Sequence, residues 1–157
     1  MTRESYPINI DYRFEPQQHK GAPYSVDGIH WTNSGEFAEI VTNAVKGYNP
    51  HKDANTAFDE GSDIPELNAS VKSSRFTLTT VKLGNSFEEV FNAYFDRVHS
   101  TSWIYTVIID DMAVLYTMNK AEFQDFLRNF SSYSADRKVI RGKHTSGIML
   151  RWLEERV

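Results

Sequence analysis

Asp63, Ser70 and Lys72 put a carboxylate, a hydroxyl and an amine within ten residues of one another. Hydrolysis of a phosphodiester at neutral pH needs oxygen ligands for a hard dication, an activated water and a cation near the developing charge. These three side chains could meet those needs if the chain folds so that they converge. The stretch from Phe58 to Leu78 is punctuated by Gly61 and Pro65, and the polar pair Pro65-Glu66 divides a segment ending at Asp63-Ile64 from a second one, Leu67 to Ser74. That pattern predicts a tight hairpin. Along an extended second strand Ser70 and Lys72 share one face, and Ala69, Val71 and Ser73 take the other.

The elements around this hairpin are legible from period and caps. A helix is predicted over Gly35–Tyr48, with Phe37, Ile40, Val41, Ala44, Val45 and Tyr48 on one face and Asn33 and Glu36 as a capping box. Glu36 flanks the apolar stripe and either caps the helix or looks toward a site at the core's edge as an accessory group. Glu39 points nearly opposite the stripe at 100° per residue. After the hairpin, Arg75 to Leu83 is expected to continue extended, with a bend at Ser73-Ser74. A second helix opens at Ser86, with Glu89 as its capping partner, Phe87, Val90, Phe91, Tyr94 and Val98 as its stripe, and Glu88 directed sideways along the core.

Trp103 to Asp110 is apolar on both faces, as a covered central strand should be, and Asp110-Asp111 turns the chain into a partner strand, Met112 to Met118. A third helix follows, capped by Asn119 and Glu122 and buried through Phe123, Phe126, Leu127 and Phe130. The final ten residues read equally as strand or helix. Residues 1–32 show no sustained period and are expected to form an irregular arm with short extended pieces such as Ile8 to Phe14. The expected fold is α/β (α+β): a central mixed sheet flanked by helices, in one domain of 157 residues, with the arm at 1–32, the core at 34–130 and a basic segment at 131–157.

In GSDIPELNASVKSSRFTL, with a helix bearing an acidic residue before it and the strand pair WIYTVIIDDMAVLYTM after it, the chain resembles the PD-(D/E)XK nuclease superfamily over roughly residues 34–130. The resemblance implies a restriction endonuclease-like fold and Mg²⁺- or Mn²⁺-dependent cleavage of duplex DNA by a homodimer, since one such domain offers one site. It assigns Asp63 to the metal and Lys72 to the attacking water. Ser70 stands where the family usually has a carboxylate, and a hydroxyl is a much weaker ligand for a hard dication. Some members with Ser-X-Lys recruit a Glu from the following helix, which implies Glu88 as the second metal ligand here. The same feature also supports an alternative: a nuclease-like domain without catalysis that binds nucleic acid or protein.

Charge is divided unevenly. The first 66 residues carry 5 Lys/Arg against 11 Asp/Glu, and the remaining 91 carry 12 against 10, within a net charge of -4. This excludes a polycation that coats nucleic acid but leaves room for a local phosphate-binding face. Ser73, Ser74 and Arg75, with Arg137, Lys138, Arg141, Lys143 and His144, are the candidates for it. The five histidines have no H-E-x-x-H spacing, and no Walker loop, nucleophile elbow or dinucleotide fingerprint is present. The chain has no cysteine, which rules out disulfides and thiolate metal sites, and no apolar window that would span a membrane; a cytoplasmic location is expected.

Overall fold

β7 (Ser102–Ile109) lies inside the main sheet, because its apolar run can be covered on both faces. The computed structural model describes residues 1–14, 24–26, 29–31, 34–50, 63–78 and 84–157. Through the Asp110-Asp111 turn, in which Asp110 takes φ +53°, β7 pairs antiparallel with β8 (Met112–Met118). On its other side β7 pairs in parallel with β5 (Ala69–Lys72), with Ser70 opposite Trp103 and Lys72 opposite Tyr105. β1 (Thr2–Pro7) completes the order β1-β8-β7-β5 by pairing antiparallel with β8 along its whole length. The chain is thus mixed α/β, with helices on both faces of a mixed four-stranded sheet.

Period two sends alternate residues of β7 into separate cores. Ile104 joins Ala69, Val71, Leu115 and the Phe37, Ile40 and Val41 side chains of α1 (Ser34–Val45). Trp103, Tyr105 and Val107 face the opposite core, with α2 (Phe87–Arg97), α3 (Lys120–Phe130) and α4 (Gly147–Glu154). There Trp103 stacks on Phe123 with ring centroids 5.1 Å apart and planes 11° apart. Such a contact adds roughly 0.5–1.5 kcal/mol to the burial of the two rings. The caps of α2 and α3 hold as expected: Ser86 Oγ accepts from Glu89 N, and Asn119 and Glu122 form a complete capping box. The Asn33 half of the first box, residues 58–62 of the predicted hairpin and residues 79–83 of the following strand lie outside the described residues.

A second sheet, in the order β6-β10-β9, joins β6 (Thr77–Leu78), β10 (Val139–Gly142) and β9 (Ser131–Ser134). The chain reaches it by turning at Ser74-Arg75, one residue past the expected Ser73-Ser74 bend, with Arg75 at φ +57°. A third, small sheet takes in β2 (Tyr12–Phe14), β3 (Tyr24–Val26) and β4 (Ile29–Trp31).

Two expectations are corrected. The opening of the supposed irregular arm is an edge strand. Its residues, TRESYP, are mostly polar because an edge strand is held by backbone pairing and has little apolar face to bury, which leaves hardly any periodic signal. The second concerns the hairpin at Pro65-Glu66, which shrinks to a single antiparallel bridge, Ile64 to Ala69, closed by a short 3₁₀ turn over Pro65–Leu67. The ambiguous tail is helical, with Ser146 Oγ accepting from Met149 N.

Candidate active site

The bridge and the 3₁₀ turn set Asp63 beside the start of the Ser-X-Lys strand. Its Oδ2 accepts the backbone N–H of Val71 at 2.7 Å, so the carboxylate is fixed to β5 midway between Ser70 and Lys72. A second carboxyl group meets it from α1. Glu39 is half-buried and hydrogen-bonded to Asp63, and burial pushes its pKa up to about 9, with the Asp63 hydrogen bond and charge adding to the effect. Lys72 acts in the other direction, its positive charge favouring ionised Glu39, and Glu36, one turn earlier, raises it further. Glu39, Asp63, Lys72 and Glu36 therefore form one electrostatic cluster. Raised that far, Glu39 keeps its proton at neutral pH.

Glu39 is the residue that the helical wheel misassigned. The apolar stripe is not the only buried face of α1, since Ala38 and Thr42 are also buried. Thr42 Oγ1 hydrogen-bonds Thr106 Oγ1 of β7 at 2.7 Å. The helix thus meets the sheet along Ala38 and Thr42, and Glu39 lies about 60° from Thr42 on the wheel, not on the far side. The signal available in the sequence was this pair of small residues, which let a helix approach a sheet closely. Asn43 continues that flank, its Nδ2 on the Glu39 carbonyl at 2.9 Å and its buried Oδ1 without a partner among the described residues.

Ser70 does not join the cluster. It is buried, and its hydroxyl is 2.6 Å from Ser100 Oγ, just ahead of β7. Parallel pairing sets Ser70 opposite Trp103, on the face of β5 that it shares with Lys72 opposite Tyr105. Glu88 is also placed apart from the cluster. Its Oε1 accepts from Arg128 of α3 at 2.7 Å on the exposed surface, since the flank of α2 that it occupies faces α3. The Arg128 guanidinium holds the Glu88 carboxyl below the usual carboxylate range.

The basic candidates separate into two groups. Arg75, Arg141, Lys143 and His144 line one cleft of about 340 Å³ with Ser132 and Gly142. Ser74 supports it, accepting from Thr145 N at 2.9 Å while its Oγ sits 2.7 Å from His144 Nδ1. Ser73 follows β5 as it leaves the sheet, half-buried. Arg137 and Lys138 are exposed in the β9–β10 turn and do not line the cleft, with Lys138 at φ +56°.

A resident Mg²⁺ commonly takes one or two protein carboxylates and fills the rest of its octahedron with water and substrate oxygens. Glu39 and Asp63 offer two carboxyl groups of that kind. Among the described residues no group of three or more His, Cys, Asp or Glu side chains is placed to hold a metal ion. Among them too, no helix is long and apolar enough to cross a membrane. No family model, curated protein or solved structure matches this chain.

Proposed function

We propose that this protein is a metal-dependent endonuclease of the PD-(D/E)XK kind, with a restriction endonuclease-like fold, that hydrolyses phosphodiester bonds of duplex DNA as a homodimer. The observation that carries this reading is Asp63 fixed to β5 by the Val71 N–H at 2.7 Å, on the strand that ends at Lys72, with Glu39 of α1 meeting it. Asp63 and Glu39 would hold Mg²⁺ or Mn²⁺, the ion taking the place of the Glu39 proton. When bound, the ion lowers the pKa of a coordinated water and neutralises charge on the phosphoryl oxygens.

The chain's own groups supply the remainder. Val71 N–H orients Asp63 through its 2.7 Å bond, which keeps one carboxylate oxygen fixed and the other available. Lys72, at the end of β5, holds a positive charge beside the pair, where it orients the attacking water and offsets the charge of the pentavalent transition state. Glu36 lies on the exposed side of the same helix turn and accepts the water's proton toward solvent.

The test is incubation of supercoiled plasmid with the protein in Mg²⁺, Mn²⁺ or EDTA. Nicking or linearisation is expected with either metal and not with EDTA, and is expected to be lost in Asp63→Asn, Glu39→Gln and Lys72→Ala. Cleavage that survives Glu39→Gln and Asp63→Asn unchanged would sink the assignment.

A second reading, a nuclease-like domain that binds without cutting, is favoured by Ser70, which fills the usual carboxylate position with a buried hydroxyl pair. It predicts a gel shift on duplex DNA, or a stable protein partner, with no cleavage in any metal.

A further inference from the structure

The basic cleft beside the β5 exit has no counterpart in the catalytic argument. Three permanent cations, Arg75, Arg141 and Lys143, line it together with His144, and no carboxylate does. Among the described residues none of the four is ion-paired to an Asp or Glu. Like charges held around one concavity repel one another, and an anion relieves that repulsion.

The cleft is also fixed by backbone. Arg75 is held at φ +57°, a conformation unfavourable for a side chain of its size, and its N–H points to Lys143 O at 3.4 Å. Gly142 forms part of the wall because nothing larger fits, an added Cβ there lying 2.3 Å from the Phe76 ring. The Gly142 N–H donates to Phe76 O at 2.7 Å, which clamps β10 against the turn that carries Arg75. Ser74 Oγ accepts Thr145 N–H at 2.9 Å and lies 2.7 Å from His144 Nδ1, which ties the imidazole to the cleft wall.

We propose that this cleft binds a backbone phosphate of the nucleic acid, close to the bond that is cut. The anion preference stands on the cleft alone, while the identity of the polymer rests on the nuclease reading above. Arg75 lies three positions after Lys72, so their Cα atoms are at most about 11 Å apart and the cleft opens close to the strand that carries Lys72.

The experiment measures fluorescence anisotropy of a short labelled duplex across a salt series, in EDTA, with the intact protein and with Arg141→Gln/Lys143→Gln. Both positions are exposed, and thermal melting checks that the variant is folded. The double variant is expected to bind at least about fivefold more weakly and to flatten the slope of log K against log salt by roughly 0.9 for each phosphate released. Unchanged affinity and slope overturn the proposal. So does inorganic phosphate that shifts the His144 ring resonances but is not displaced by duplex, since the cleft would then serve free phosphate. Weaker DNA binding by the variant, in a protein that never cuts, supports the cleft and removes the catalytic reading. Metal-dependent cutting with variant binding unchanged does the reverse.

Discussion

The carboxyl groups of Glu39 and Asp63 are hydrogen-bonded across the gap between α1 and β5. The two residues are far apart in sequence, and burial first, then the Asp63 hydrogen bond and charge, raises Glu39. The pair is therefore sensitive to pH and to any change in how α1 sits on the sheet.

The pH dependence has a definite sign. Glu39 titrates near 4.5 in an unfolded chain and is raised to about 9 in the fold, so between those values the folded state retains a proton that the unfolded state has released. Its contribution is therefore fully present below about pH 4.5 and is lost as pH rises toward about 9. In EDTA, Glu39→Gln is expected to melt above the parent at pH 8, with the difference shrinking toward pH 5. Equal melting curves for the two proteins at pH 8 would contradict the retained Glu39 proton.

Metal should reverse that trend. Under the proposed function Mg²⁺ would compete with the Glu39 proton, so its affinity is expected to rise with pH and each ion bound should release part of a proton. Calorimetry in two buffers of different ionisation enthalpy checks this. Asp63→Asn is expected to weaken the ion by more than about tenfold, since loss of even an outer partner of a metal costs about 10–100-fold.

Ser70 and Ser100 should behave as a structural couple. Removing either hydroxyl leaves the other buried without its partner, at about 1–3 kcal/mol, whereas removing both costs less than the sum. Denaturant melts of Ser70→Ala, Ser100→Ala and the double variant measure this. Cleavage per folded molecule is expected to be retained in all three, and its loss in Ser70→Ala alone would return Ser70 to the catalytic list.

Glu88→Ala is expected to leave metal-dependent cleavage unchanged within about twofold, since surface substitutions away from a site usually do little. Its carboxylate is engaged on the surface by Arg128. A loss of cleavage comparable to that of Asp63→Asn would show that Glu88 reaches the metal in the complex with DNA.

Gly142→Ala is expected to destabilise the fold by about 1–3 kcal/mol, the usual range for overpacking. The added methyl would meet the Phe76 ring at 2.3 Å, and that ring is itself packed among Tyr105, Phe123 and Phe126. Thermal melting measures the loss. A parallel fall in DNA affinity is expected, because the same strand carries Arg141.

Much of the scaffold follows from local pattern. The apolar run of Trp103 to Ile109, the caps at Ser86 and Asn119 and the buried faces of α2 and α3 depend on residues a few positions apart, and such signals survive in a sequence read alone. So does the nearness of Asp63 to the strand that ends at Lys72, which the Pro-marked turn sets up. What only the tertiary structure decided is which groups from distant elements meet them. β1 left little trace because an edge strand is stabilised by backbone pairing. Glu39 meets Asp63 and Glu88 meets Arg128 because a helical wheel gives the angle between residues but not which flank lies on the sheet. The contact of Thr42 with Thr106 decided that for α1, and through it set the Glu39 carboxyl beside Asp63.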